Sequence, residues 1–194
     1  MTRDDPASLG FLTVLEHEQL GLVGGYLILN TAGRPLEFHC TAPVKPNRAQ
    51  EILFGPTLES YLYGEQIGQA LITKSDLLPL AVCTDIERVL SVRPYVSLPV
   101  ALVVRDVEVS PSEAVATGAA SVPGTYWRID AAHRASDHLT QFALGTNRLA
   151  VSAGHIADRD TITASLTEVA TFDLGEPFER IREAVEEAHK TNHV

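Results

Sequence analysis

Two apolar runs joined by turn residues constrain this chain most. Gly25 to Asn30 (GYLILN) and Arg34 to Thr41 (RPLEFHCT) flank Thr31, Ala32 and Gly33. Asn30 and Gly33 favour a turn and both runs favour strands, so the segment predicts a hairpin. The first run is apolar at successive positions, which places it centrally in a sheet. In the second, Leu36, Phe38 and Cys40 alternate with Glu37, His39 and Thr41, one set to each face. Pro35 marks an edge or a strand entrance.

Around this hairpin the chain reads as a mixture of helices and strands. Residues 1–10 are polar and read as a loose terminus; residues 11–22 fit no single period and read as a short helix or strand. Asn47 and Gln50 form a capping pair that opens a helix at Arg48. Gly55-Pro56 interrupts it, and Thr57 is placed to cap a second helix to about Ile72, with Leu58, Leu62, Ile67 and Leu71 at helical spacing. Leu77 to Cys83 reads as a buried strand. Thr84 and Glu87 form a capping box for a helix from near Asp85 to before Pro94. Residues 96–109 read as one or two strands, with Pro99 at a bulge or edge. Residues 110–124, rich in small residues, read as a loop or linker. Beyond it come a strand at 125–129, an ambiguous stretch at 131–144, a strand at 148–153 and helices at 160–170 and 176–190. In the last helix Phe178, Ile181, Val185 and Ala188 form an apolar stripe, with Pro177 in the first turn.

The expected architecture is therefore α+β: a mainly antiparallel sheet with helices packed on it and a C-terminal amphipathic helix. Residues 1–109 would hold the main sheet region and 125–194 a second half packing on the first, as one domain or two. The strand–turn–strand–helix order resembles that of small sensor and longin-like domains, a likeness of shape that carries no function.

Composition narrows the classes. A chain of 194 residues buries roughly 70% of its unfolded surface and holds a core without disulfides or structural metal. Its formal net charge of -10 repels phosphate backbones, which makes nucleic acid an unfavourable partner. Cys40 and Cys83 form no C-x-x-C pair and no zinc spacing. The opening residues MTRDDPASLG have no secretory pattern, and the apolar stretches are too short to span a bilayer. A cytoplasmic protein is expected, with no membrane partner and no cofactor. Phosphate-binding, nucleophile-elbow and H-E-x-x-H motifs are missing from the sequence.

Three groups of residues carry candidate chemistry. Cys83 closes a predicted strand before a predicted helix, whose N-terminal dipole favours a thiolate nucleophile. His39 shares a strand face with Glu37, which suits an oriented general base; the alternative roles are a buried core thiol and a half-buried surface imidazole. His155, Asp158 and Asp160, with His133, Asp137 and His138 upstream, combine types that hold a divalent metal for hydrolysis. Acids at a helix start have the simpler role of complementing its dipole. Lastly, Gly64 and Gly68 share a helix face that admits a second backbone, either within the fold or from another copy. Tyr61 adds aromatic contact area beside them. The leading expectation is a non-catalytic interaction or regulatory protein that self-associates as a homo-oligomer or binds a protein partner. The alternatives are a thiol-dependent enzyme, with Cys83 as nucleophile and His39 as base, and a metal-dependent hydrolase at His155.

Overall fold

The computed structural model describes residues 7–17, 20–105, 138–166 and 172–191, the side chains of 189–191 excepted. The predicted linker 110–124, the strand at 125–129, His133 and Asp137 lie outside these residues. The strands are β1 (Ser8–His17), β2 (Gly21–Asn30), β3 (Pro35–Cys40), β4 (Val82–Thr84), β5 (Val100–Val104), β6 (Leu139–Leu144) and β7 (Asn147–Ser152). They form one seven-stranded sheet in the order β3-β2-β1-β4-β5-β7-β6.

The α+β class holds, but the sheet is mixed. β1 with β2, β2 with β3, β5 with β7 and β6 with β7 run antiparallel, whereas the central pairs β1–β4 and β4–β5 are parallel. The parallel centre follows from the connection. After β3 the chain crosses one face as helix and re-enters beside β1 in the same direction, as a crossover requires. Hydrophobic patterning reports burial of both faces and does not fix that direction.

The predicted hairpin forms at β2–β3, and its turn is built as its residue types dictate. Asn30 Oδ1 accepts from the Ala32 and Arg34 amides at 3.0 and 2.9 Å, and Gly33 holds φ +75°. In front of it stands a second hairpin, β1–β2, where a loose terminus and an unresolved element were expected. Gly21, Gly24 and Gly25 belong to β2. A Cβ at Gly24 would lie 2.2 Å from Ile67 Cγ2 and one at Gly25 2.3 Å from Ile181 Cγ2. Helices from both sides reach the β2 backbone there, which is why these strand positions are glycine.

The helical layers are α1 (Arg48–Phe54), a turn at Gly55–Thr57, and a long helix α2 made of Leu58–Ser60, Tyr61–Gln69 and Ala70–Lys74, its middle part a wide π-type winding. The Asn47–Gln50 capping box is formed. Thr57 does not cap α2; its hydroxyl donates back to Phe54 O at 2.8 Å and the chain stays helical. The second expected capping box is also not made. Thr84 Oγ1 accepts from the Ile86 amide, and a 3-10 segment, Glu87–Tyr95, follows without a side-chain cap. Later come α3 (Ala157–Ser165) and α4 (Glu176–Thr191). The stripe of α4 ends at Val185, because Ala188 is exposed.

Each sheet face has its own core. α4, α3 and Leu174 cover Leu9, Phe11, Leu27, Cys83, Ala101 and Leu149, with Phe11 and Phe178 edge to face at 5.7 Å. α2 and the 3-10 segment cover Leu12, Val14, Tyr26, Ile28, Val82 and Val100. A buried ion pair joins the two layers: Arg93 Nε and Nη2 donate to Asp158 at 2.6 and 2.9 Å, and the Val100 amide donates to the same carboxylate at 3.2 Å. Asp158 is 4% exposed. Removing its carboxylate strands a half-buried guanidinium, so Asp158→Ala is expected to destabilise the fold by about 3–5 kcal/mol in urea titration. A loss under about 1 kcal/mol would show that the pair is not holding the layers.

Candidate functional site

The sheet sorts the candidate residues by parity. Cys83 pairs across strands with Phe11 and Ala101 and faces the α4 side, 1% exposed. His39 stands opposite Tyr26, on the α2 side. Two strands, β2 and β1, lie between β3 and β4, so the two backbones are about 14 Å apart at strand spacing. Opposite faces and that distance leave the thiol and the imidazole unassembled as a nucleophile–base pair. The helical dipole expected beside Cys83 is also absent from its immediate neighbourhood, because helical winding begins at Glu87. Burial alone acts on the thiol and pushes it up to about 12.

His39 and Glu37 do come together, as their shared face requires, with His39 Nε2 bonded to Glu37 Oε1. The same carboxylate does more than orient an imidazole. Ser75 Oγ donates to Glu37 Oε2 at 2.8 Å, and the Asp76 and Leu77 amides donate to its two oxygens at 3.1 and 3.3 Å. Glu37 thus ties the chain leaving α2 to β3. Desolvation raises its pKa, but the hydrogen bonds from His39, Ser75 and the two amides outweigh it and bring the value down to about 2. Serine, histidine and glutamate are therefore near neighbours, with the glutamate at the centre and the hydroxyl bonded to the acid instead of the base. That order is a structural clamp and not a nucleophilic triad, in which the base stands between.

The expected metal set separates. Asp158 turns inward to Arg93, Asp160 accepts from Arg159 on the surface, and His155 sits in the turn Ala153–His155 with its Nδ1 buried. Among the described residues no three His, Cys, Asp or Glu side chains gather to hold a metal ion. His155 lines a cleft of about 240 Å3 with His138, Glu87 and Ser91 instead.

Gly64 and Gly68 are engaged inside the fold. A Cβ at Gly64 would meet Ser91 O at 2.7 Å, and one at Gly68 would meet Val92 at 2.9 Å, so this helix face admits the 3-10 segment. Tyr61 stacks on Phe54 with ring centroids 4.0 Å apart. The close-approach surface read from the small residues is thereby occupied within the fold, by the Ser91 backbone at Gly64 and the Val92 side chain at Gly68.

Two further polar groups have no local sequence signal. Tyr63 donates to Glu16 at 2.5 Å, beneath Arg88, which reaches Glu16 at 2.9 Å; burial and the Glu16 carboxylate push the Tyr63 hydroxyl up to about 12. Arg182 of α4 pairs with Asp85 just beyond β4, 97 residues away. Both join distant segments of the chain.

What the described surface does present is unpartnered apolar area. α1 has no buried residue, and its Ile52 and Leu53 are 66% and 83% exposed. β3 is a sheet edge whose Leu36 and Phe38 are 39% and 37% exposed. No helix among the described residues is long and apolar enough to cross a membrane. No known family model matches the chain, and no curated protein matches it.

Two measurements check these assignments. Cys40 is exposed and Cys83 buried, so alkylation of the native protein near pH 8 is expected to modify one thiol, the second reacting only after denaturation. Rapid native modification of Cys83 would restore the nucleophile reading. The Glu37 clamp has a pH signature as well. Its carboxyl is held at about 2 against an ordinary 4.5, so its contribution is complete above pH 4.5 and is lost as pH falls toward 2. Wild type should lose up to about 3 kcal/mol more over that window than Glu37→Gln, by chemical denaturation at each pH.

Proposed function

We propose that this chain is a non-catalytic interaction or regulatory protein that associates with itself in the cytoplasm. The observation that carries the reading is the free edge of β3, with Leu36 and Phe38 exposed on a strand that has a neighbour on one side only among the described residues. A strand edge offers unpaired amides and carbonyls, and natural proteins blunt such edges when no partner is intended. Within Pro35–Cys40 the proline, Glu37 and the register shift all lie toward the start of the strand, whereas Phe38 to Cys40 is regular and the strand contains no lysine.

The polar candidates support the same reading by their roles. Glu37 clamps a loop, Asp158 and Asp85 neutralise arginines, and Cys83 is core. A net charge of -10 disfavours nucleic acid as the partner. Protein remains the partner class that the exposed edge fits, and a second copy is the simplest case.

Sedimentation velocity across a hundredfold range of concentration tests the proposal. A monomer–dimer equilibrium, with the weight-average mass rising with concentration, is the expected result. A monomer at every concentration into the hundreds of micromolar overturns it.

A further inference from the structure

We infer that β3 pairs antiparallel with β3 of a second copy about a two-fold axis at Phe38, joining two seven-stranded sheets into one. The inference rests on the self-association proposed above and specifies its surface and register.

The backbone prepares this edge. The Thr41 amide donates to Gly24 O at 2.9 Å, which makes that pair a hydrogen-bonded one. In an antiparallel ladder such pairs alternate with non-bonded ones. His39 opposite Tyr26 and Glu37 opposite Ile28 then bond inward, while Phe38 and Cys40, opposite Leu27 and Gly25, turn their N–H and C=O groups away from β2. The pairing with β2 shifts register between Ile28 and Leu29, which confines the irregularity to the start of β3 and leaves 37–40 regular. The outward groups of Phe38 can therefore bond reciprocally to those of Phe38 in a copy turned by 180°.

Charge selects the register. Centring the pair on Glu37 would set two carboxylates directly opposite each other, which destabilises a ladder. A His39-centred pair sets two imidazoles face to face and leaves each Glu37 opposite Thr41. With the axis at Phe38, Glu37 of each copy stands opposite His39 of the other, and Phe38 packs on Phe38. No like charges oppose within the strand, which is flanked by the turn at 31–33 and the irregular residues 41–43. Both copies keep their faces in register, because the axis passes midway between two directly opposed residues and preserves the alternation. The sequence of this strand is thus self-complementary in charge and in apolar content, and its fitting occupant is a second copy.

Cysteine cross-linking reads the register directly. At a hydrogen-bonded pair the two Cα atoms lie about 5.5 Å apart, inside the span a disulfide bridges. Phe38→Cys in a Cys40→Ser background is expected to oxidise with copper phenanthroline to a covalent dimer on a non-reducing gel. Wild type should not. Its exposed thiols at position 40 would stand four residues apart along the paired strands, roughly 13 Å, and Cys83 is buried. Phe38→Lys should weaken association at least tenfold in sedimentation, since it sets two cations beside the axis, while leaving the thermal midpoint unchanged at concentrations where wild type is monomeric. Should wild type cross-link through Cys40, or Phe38→Lys associate as wild type does, the register is overturned. A dimer in sedimentation with no cross-link in the Phe38→Cys variant removes this edge and leaves self-association standing. A monomer throughout removes both.

Discussion

Two adjacent glycines in β2 set how closely both helical layers approach the sheet. Successive strand residues face opposite ways, so Gly24 meets α2 through Ile67 and Leu71, and Gly25 meets α4 through Ile181 and Val185. Neither position has room for a methyl group. With the helices seated against backbone, the side chains around them close on each face: Tyr26 and Ile28 on one, Leu27 and Leu29 on the other, all within 5% exposure. Interiors packed at this density transmit any added volume as strain. The thin strand β2, next to the sheet edge, accordingly lets a helical layer seat closely on each face.

A sheet covered on both faces also divides the chemistry. Residues one position apart in a strand belong to different cores, and residues two strands apart cannot meet through the sheet. Cys83 and His39 fall on opposite sides by this rule, and each takes its character from its own layer. The thiol is desolvated to about 12 beneath α4, while the imidazole sits on the carboxylate of Glu37 beside the end of α2. Charges that enter the interior are paired across layers. Arg93 joins the 3-10 segment to α3 through Asp158, and Arg182 joins α4 to Asp85 at the end of β4. A buried pair of this kind is costly to break from one side, so these residues are committed to position rather than to reaction.

Local chemistry was legible in the sequence and long-range chemistry was not. Asn30 and Gly33 specify their turn through bonds that span four residues or fewer, and Asn47 with Gln50 specifies a capping box in the same way. Strand parity in β3 likewise assigned Glu37 and His39 to one face. Gly24 and Gly25 have no local signal for their role, because the helices that press on them lie some 40 and 156 residues onward at Ile67 and Ile181. Asp158 shows the same gap. At the start of a helix an acid is explained by the dipole alone, and nothing nearby announces an arginine 65 residues earlier in the chain. The Thr84–Glu87 pair has the right residue types for a cap, yet the Thr84 hydroxyl takes the Ile86 amide first and the winding that follows is 3-10.

The edge of β3 differs from the rest of the sheet in what satisfies it. Water already bonds its outward amides and carbonyls, so exchanging those bonds for strand pairing returns only about 0.5–1.5 kcal/mol each. The gain must come instead from covering Phe38 and Leu36, and the six residues of the strand limit how much area is available. The proposed contact would fall toward the low end of protein interfaces, where association is transient and responds to concentration. Glu37 adds selectivity more than strength. In the proposed pairing a histidine opposite it is accommodated and another carboxylate is not, so the edge would discriminate against slipped pairings that backbone bonding alone would tolerate.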